Sequence, residues 1–416
     1  MALAPNVFKY VDWVAMDTLR ILKNKRMISE YFNTDDQKDF NKEFAVGATI
    51  RKKFPQRFTS VEGLPYQPQA INRRETTITI DQNIQVAWEW DSFEQALKLE
   101  RGEAMLRKEY SEPAAEEIYQ QIESRAALYA HNHCNNFVGV LGTNPTNFQT
   151  TTGAARQTLQ ELALWKGKKA FIIPPKVNTS MVGAAMNLMQ DASSIGKQYK
   201  DGAIGHQGGF DWFESMSLYE HTAATWAGAV TVTSTLATDG TTTMVLTCTS
   251  GDTFRIGDKF SIASVKAANP GTRRSTGSSK LFTILSANQT ISGTSATITY
   301  SPSIYGPGSQ YQNVDAYPVA GAALTLFPGT TSPNGKVGII GYAMTDQSFA
   351  MAGVKLEGPE NGGGTICSQF QDPVSGLAVR YLRMFDGKES KWINRIDCAL
   401  GFGDFYVDGC IGILSA

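Results

Sequence analysis

Two segments near the N-terminus alternate between apolar and polar residues. The even positions from Val46 to Phe58 are mostly apolar, and so is every even position from Ile78 to Trp90 except Gln82. Side chains alternate between the two faces of a strand, so this period predicts two half-buried β-strands. Together they form a long two-stranded ribbon over residues 46–91. Because an isolated ribbon is marginal in water, we expect it to lie against its own subunit or a neighbouring one.

Helical periodicity predicts an N-terminal arm, residues 1–45, and a long internal helix. Residues 6–32 of the arm fit an amphipathic helix that either docks on another surface or packs on its own domain. Ser111 as N-cap, with Pro113 in the first turn, predicts a helix from 111 to about 140. Its apolar stripe is predicted to be Ile118, Ile122, Ala126, Tyr129, His133 and Phe137. Shorter helices are predicted over 154–165 and 178–195, on either side of a strand at 170–173.

The composition changes near residue 222. Residues 222–327 are rich in Thr, Ser and Gly, and short β-like runs alternate with turn signals such as Asp239-Gly240 and Gly257-Asp258. This spacing predicts a small all-β barrel or sandwich, inserted into a domain that resumes near Lys336. The alternation returns over 376–414 and predicts strands that close an outer sheet.

Composition restricts the class of protein. The chain has 416 residues, a formal charge of −1 and 19% charged residues, which opposes disorder and general nucleic-acid binding. Its apolar stretches are too short for a transmembrane helix, and its N-terminus lacks signal-peptide features. The five cysteines are scattered, with no Cys-x-x-Cys pair, which is typical of buried thiols in a reducing compartment. We therefore expect folding in a cytoplasm.

Charge is distributed in two opposite blocks. Residues 51–74 carry six basic side chains and one acid, a net +5, whereas residues 89–123 carry ten acids and four bases, a net −6. The blocks are either complementary surfaces of different subunits or two separately solvated faces.

Motifs of catalysis are absent from the sequence. It contains no phosphate-binding Gly-Lys-Ser/Thr loop, no Gly-x-Ser-x-Gly elbow and no His-Glu-x-x-His. His131 and His133 are two residues apart, so on a helix they face different directions, and we expect His133 to be a packed core histidine rather than a metal ligand. The sequence predicts no catalytic, cofactor or metal residues, and a structural protein rather than an enzyme.

Three stretches of sequence, together with the order of the predicted elements, resemble a known protein family. Tyr199–Ile204 with Gly209–Asp211 resembles the segment that precedes an inserted domain, and Gly257–Ser261 resembles a barrel hairpin within one. Met1–Leu3 followed by Val11-Asp12 is a weaker similarity. With the element order, these resemble the major capsid protein of tailed double-stranded DNA phages, in the Hong Kong phage-type α+β fold. The most similar branch is the P-twenty-two type, with an inserted β-barrel domain.

The resemblance implies a role for each segment. Residues 46–91 would be an extended β-loop over the neighbouring subunit, 92–150 and 376–416 a peripheral domain with a spine helix, 151–221 and 328–375 an axial domain, and 222–327 the inserted barrel. The implied subunit interface joins basic to acidic residues: Arg51, Lys52, Lys53, Arg57, Arg73 and Arg74 with Glu112, Glu116 and Glu117. Asp12 and Asp17 would meet a basic scaffolding protein.

The implied function is assembly. The chain would form pentamers and hexamers with itself, co-assemble with a separate scaffolding protein and a portal protein into an icosahedral procapsid, and expand around packaged DNA. It would touch the DNA only weakly and non-specifically, would touch no membrane, and would assemble in the host cytoplasm before residing in the virion. The alternatives are a soluble hydrolase with an appended β-barrel carbohydrate-binding module, and a tail-tube or fibre subunit.

Overall fold

The computed structural model describes residues 14–22, 26–35, 49–60, 62–63, 68–71, 74–91, 110–185, 205–359, 365–372 and 377–416. Asp12, Arg73, the stretch 199–204 and positions 186–195 of a predicted helix lie outside these ranges. The chain divides into two compact units. The first comprises residues 1–53, 75–126 and 349–404, and the second comprises 54–74, 127–348 and 405–416.

Strands dominate the described residues. The helices are α1 (Glu112–His133), α2 (Phe148–Glu161) and α3 (Pro175–Ala185), and residues 14–22 are also helical. The strands are β1 (Thr49–Lys53), β2 (Glu75–Asp91), β3 (Asn136–Val138), β4 (Lys169–Ile173), β5 (His206–Gln207), β6 (Phe210–Glu214), β7 (Glu220–Thr222), β8 (Thr231–Val232), β9 (Thr241–Thr247), β10 (Thr253–Phe254), β11 (Lys259–Ala268), β12 (Ser275–Ile284), β13 (Gln289–Thr290), β14 (Ser295–Ile304), β15 (Leu324–Leu326), β16 (Val337–Thr345), β17 (Phe349–Val354), β18 (Thr365–Gln371), β19 (Ala378–Asp386), β20 (Lys391–Asp404) and β21 (Cys410–Leu414).

The first unit is built on a six-stranded antiparallel sheet. Its strand order is β1-β2-β20-β19-β18, and β17 also pairs with β20. The predicted alternation in β2 is present: Ile78 and Ile84 are buried, and Thr77, Thr79 and Gln85 are exposed. Gly401 allows close approach of β20, because a Cβ there would collide with the carbonyl oxygen of Thr79. Ile78 and Ile84 are therefore covered within their own unit, whereas Ile80, Val86 and Trp88 are half-buried.

The ribbon is consequently shorter than the prediction. Among the residues before β2 that the structure describes, Thr49–Lys53 pairs with the start of β2, in register with Glu75–Thr79. From Thr79 to Asp91, β2 pairs with β20, with a register shift between Ile80 and Gln82. The rest of β2 therefore lies against a strand of the same chain, which is one of the two alternatives that the sequence left open.

The second unit contains a mixed sheet and an all-β subdomain. The mixed sheet has the order β3-β21-β16-β4-β6-β5, with β7 on β16, and α2 and α3 pack on it through a core that includes Leu159, Phe171 and Met181. The all-β subdomain has a six-stranded sheet ordered β15-β11-β12-β14-β9-β8 and a small β10-β13 pair. Its own core includes Phe254, Phe260, Phe282 and Tyr300. We call residues 222–327 the inserted domain; this boundary and the other four remain predictions.

The internal helix ends earlier than the prediction. It ends at His133, and Phe137 lies in β3, parallel to β21. Residues Ala115, Ile118, Ile122, Ala126, Ala130 and His131 are buried on α1, whereas Tyr129 and His133 stack on each other half-buried, with ring centroids 4.1 Å apart. The buried histidine of this helix is therefore His131, and the prediction of a core His133 is wrong. None of the described helices is long and apolar enough to cross a membrane.

Candidate subunit interface

Strand β1 presents the first three basic residues of the predicted interface. Arg51 and Lys53 are exposed on one face, while Lys52 is half-buried and donates a hydrogen bond to Asn33 Oδ1 at 3.1 Å. Arg51 lies 3.8 Å from Glu75 on the paired strand. β1 is the edge strand of its sheet, so Arg51 and Lys53 are the members of this group most available to another molecule.

Arg74 packs against aromatic side chains of the second unit. Its guanidinium lies over the ring of Phe54 at 4.8 Å and over Tyr305 at 5.4 Å. Phe54 itself stacks on Phe405 with centroids 5.1 Å apart, and its N–H donates to the Arg74 carbonyl. Arg57 is half-buried, and Arg73 lies outside the described residues. The structure therefore uses Arg74 in cation–π contacts within the chain.

We call the described residues 54–60, 62–63, 68–71 and 74 the loop; several of them contact the inserted domain of the same chain. Gln56 donates to Gln310 Oε1 at 2.9 Å, and Gln310 donates to the Ala70 carbonyl at 2.9 Å. Arg273 donates to the Phe58 carbonyl at 3.0 Å. The Phe58 and Ile71 side chains remain 63% and 70% exposed. The loop thus rests on its own subunit while presenting two apolar side chains.

The predicted acidic partners lie in the first turns of α1. Glu116 and Glu117 are exposed, Glu112 is half-buried, and Gln121 donates to Glu117 at 2.9 Å. Glu112 lies in the first turn, where the helix dipole stabilises its charge. They form an exposed acidic patch in the first unit.

Glu123 belongs to the acidic block but not to that surface. Its carboxylate accepts hydrogen bonds from the N–H of Ile28 at 2.7 Å, the N–H of Ser29 at 3.2 Å and the Ser29 hydroxyl. Burial raises the pKa of Glu123, and these hydrogen bonds oppose the rise. Glu123 therefore fastens the segment after the arm helix to α1.

Of the two predicted scaffold-contact residues, Asp17 forms an ion pair within the chain, and Asp12 lies outside the described ranges. Asp17 pairs with Arg20 at 3.0 Å, with side chains 11% and 66% exposed respectively. Residues 14–22 are helical, as predicted for that part of the arm. Asp12 precedes the described residues.

A group of buried polar residues that the sequence did not reveal joins the inserted domain to the rest of its unit. We call it the polar anchor: His131, His221, Asp258, Lys259, Lys280 and Asp408. Asp258 is fully buried, and its Oδ1 lies 3.0 Å from His221 Nε2, while the other nitrogen of His221 lies 3.0 Å from His131 Nε2. Lys259, also fully buried, donates to the His131 carbonyl at 3.2 Å.

The second half of the polar anchor reaches the C-terminal region. Lys280 is buried and donates to Asp408 Oδ1 at 2.7 Å, and Asn135 donates to the same oxygen. Thr283 donates to the Cys134 carbonyl at 2.7 Å. β11 and β12 thereby hold the end of α1 and the turn before β21.

The electrostatics of the polar anchor follow from its burial. Burial, followed by His221 and Lys259, lowers the pKa of His131 to about 3. Burial also lowers the pKa of Lys259. Desolvation alone would raise the pKa of Asp408, but chiefly Lys280 holds that pKa below its usual value. Buried charges of this kind fix a specific arrangement more than they add stability.

Within the part of the chain that the structure describes, no group of three or more His, Cys, Asp or Glu residues could hold a metal ion. The five cysteines, all within the described ranges, form no disulfide and are buried except for the half-buried Cys367. The candidate site consists of the exposed surfaces at β1, the loop and the start of α1.

The family model described as "P22 coat protein - gene protein 5" matches residues 76–398. Among solved structures, this protein is similar to a chain in the structure of Mycobacterium phage Che8. The two share 9% identity with a TM-score of 0.48, and the match covers 94% of this chain and 91% of that chain. This protein is also similar to the capsid of the cyanophage P-SCSP1u, at 10% identity and a TM-score of 0.44, covering 94% and 88%.

A third similarity concerns part of the chain. The CUS-3 coat protein I-domain matches at 28% identity and a TM-score of 0.19, over 24% of this chain and 94% of that chain. No curated protein matches the chain.

The family match covers most of the chain and defines a phage coat protein, the structural subunit of a virion shell. The chain belongs to the P22 coat protein family. The predicted α+β class is confirmed by the helices and sheets of the structure. The prediction of a major capsid protein that associates with copies of itself is confirmed by the family match. The family match gives no support to the hydrolase alternative.

Proposed function

We propose that this coat protein co-assembles with a separate scaffolding protein into an icosahedral procapsid of pentamers and hexamers. The shell receives DNA through a portal protein and expands around it. Assembly takes place in the host cytoplasm, and the protein carries no enzymatic activity. The family match over residues 76–398 is the observation that supports this proposal most strongly.

The net charge of the chain supports a shell that is assembled first and filled with DNA afterwards. A shell that condenses around nucleic acid needs an excess of basic residues, because binding to phosphates is driven by counterion release. This chain has a net charge of −1. Such a subunit contacts DNA weakly and non-specifically, which suits a genome that is pumped into a preformed shell.

We further propose that the basic residues at β1 and the loop meet the acidic patch at the start of α1 of the neighbouring subunit. Arg51 and Lys53 are exposed on one side of this contact, and Glu116 and Glu117 on the other. One such ion pair at a surface contributes only about 0–1 kcal/mol. Repeated over every subunit of a closed shell, contacts of this size favour complete assembly while wrong contacts remain reversible.

Charge reversal tests the contact. Lys53 lies opposite Glu75 in the register of β1 and β2, so Lys53→Gln is made alongside to separate loss of the charge from repulsion between Glu75 and the new carboxylate. Lys53→Glu leaves the Arg51–Glu75 ion pair and the Lys52–Asn33 hydrogen bond in place, so we expect the monomer to fold with only a small loss of stability. We expect it to lower the yield of shells on co-expression with the scaffolding protein. Lys266→Glu is the matched control, because Lys266 is exposed on the inserted domain.

A compensating pair of substitutions makes the test specific. Adding Glu116→Lys and Glu117→Lys to Lys53→Glu restores opposite charges and should recover shells. Wild-type yield from Lys53→Glu, or no recovery in the triple variant, would reject this pairing.

A further inference from the structure

We infer that the inserted domain positions the loop for its contact with a neighbouring subunit. This inference rests on the proposed contact between the loop region and a second copy of the chain. The residues responsible are Gln310 and Tyr311, which we call the amide clamp, assisted by Arg273.

The clamp holds both sides of the loop. The Gln310 side-chain carbonyl accepts from Gln56 Nε2 at 2.9 Å, and the Gln310 amide donates to the Ala70 carbonyl at 2.9 Å. The hydroxyl of Tyr311 donates to Gln56 Oε1 at 3.3 Å. One glutamine thus joins the outgoing chain of the loop at Gln56 to the returning chain at Ala70 and holds both on the inserted domain.

The clamp itself is rigid. Tyr311 is 8% exposed, and its ring lies 6.0 Å from that of Tyr305. Asn313 accepts from the Tyr305 N–H at 2.8 Å and donates to the Ser303 carbonyl at 2.7 Å, which ties the segment to the end of β14. The loop is therefore attached to an ordered part of the inserted domain.

The loop is also closed on itself near its middle. The Thr59 N–H donates to Gln69 Oε1 at 2.8 Å, and the Gln69 amide donates back to the Thr59 carbonyl. Arg273, in the connection between β11 and β12, donates to the carbonyl of Phe58. These contacts leave the Phe58 and Ile71 side chains exposed and able to pack on another molecule.

The contacts of the clamp orient the loop and do not bury its exposed apolar side chains. These contacts are hydrogen bonds of amides, a hydroxyl and a guanidinium, so they orient the backbone without burying the apolar side chains that a partner would cover. The described residues of the loop form no strand, so ordering the loop at the moment of binding would cost conformational entropy. Holding it in the bound direction beforehand lowers that cost and strengthens association.

The test removes the clamp in the full-length chain. Gln310→Ala combined with Tyr311→Phe deletes its hydrogen bonds and keeps the packed ring. We expect an unchanged urea midpoint, about tenfold faster amide hydrogen exchange in residues 56–60 and 68–71, and about tenfold slower shell formation with the scaffolding protein. Thr297→Ala, on an exposed face of the same domain, is the matched control and should behave as the wild type in all three measurements.

Shell formation at the wild-type rate would overturn the inference, and so would slower shell formation with unchanged loop exchange. Faster shell formation would show instead that the clamp restrains the loop from assembly. Lys53→Glu is measured in parallel to distinguish failure of the proposed subunit contact from failure of the clamp inference. Normal shell formation by Lys53→Glu would reject the proposed subunit contact. Loss of shells in Lys53→Glu, together with normal shell formation by the clamp variant, would reject the clamp inference alone.

Discussion

The ammonium of Lys280 donates a 2.7 Å hydrogen bond to the carboxylate of Asp408, which joins the inserted domain to the turn before the last strand. Lys280 is almost completely buried. A buried charge that loses its partner pays its desolvation cost without compensation. This pair therefore governs whether the inserted domain keeps its place in the second unit.

Asp408→Ala should destabilise the protein by about 3–5 kcal/mol, because it leaves the buried ammonium of Lys280 without its counter-charge. Lys280→Met combined with Asp408→Asn removes both charges and should recover much of that loss. Urea unfolding of the two variants measures the difference. Equal destabilisation by both would show that the ion pair contributes only side-chain packing.

The histidine pair predicts a dependence of stability on pH. The folded-state pKa of His131 is about 3, below the unfolded value near 6.5, so the unfolded chain binds the extra proton between these values. Stability from this group is complete above about pH 6.5 and is lost as the pH falls towards 3. From pH 7 to 5, the wild type should lose about 2 kcal/mol more than His131→Gln.

Urea unfolding at both pH values checks this difference. Parallel pH profiles for the wild type and His131→Gln would contradict it. His133→Gln is the control, because His133 is half-buried beside Tyr129 and outside the polar anchor.

Gly257 is required beneath His131. Its φ is +87°, and a Cβ there would lie 2.8 Å from His131 Cε1. Gly251 has a φ of +96° with open space around its Cβ position, so Gly251→Ala carries only the backbone penalty. Gly257→Ala should therefore be the more destabilising of the two, by about 1–3 kcal/mol, in thermal or urea unfolding. Equal effects would mean that His131 moves aside freely.

Glu123 should control the attachment of the segment at residues 28–31. Glu123→Ala leaves the N–H groups of Ile28 and Ser29 without their acceptor, whereas Glu123→Gln keeps one acceptor oxygen. We expect hydrogen exchange of residues 26–32 to increase strongly in the alanine variant and modestly in the glutamine variant. Unchanged exchange in Glu123→Ala would show that packing of Phe32 on Phe349 and Phe402 suffices.

Local periodicity predicted the elements better than their partners. The alternation through Ile78 and Ile84 identified β2, because a half-buried strand requires period two. It could not identify β20 as the neighbour, since Glu89 and Lys391 meet across a separation of 302 residues. Periodicity also overestimates the length over which the two ribbon strands pair, because from Thr79 onwards the partner of β2 is β20, which is distant in the sequence.

The polar anchor could not be predicted from the sequence for a different reason. Lys and Asp are normally exposed, so nothing local distinguishes Asp258 and Lys259 from surface residues, although Gly257–Ser261 already resembled a barrel hairpin. The apolar stripe of α1 was extended through Phe137, beyond the true end of the helix, which displaced the predicted buried histidine from 131 to 133. The two charge blocks predicted the exposed charged residues of β1 and α1. Glu123 belongs to the acidic block in sequence, but its side chain is buried and is not part of that surface.

Negative-stain electron microscopy of the chain co-expressed with the scaffolding protein of its phage tests the central claim most directly. The account predicts closed shells of uniform diameter that sediment far ahead of the monomer. A protein that remains a small discrete oligomer at high concentration, with its scaffolding protein present, would contradict it.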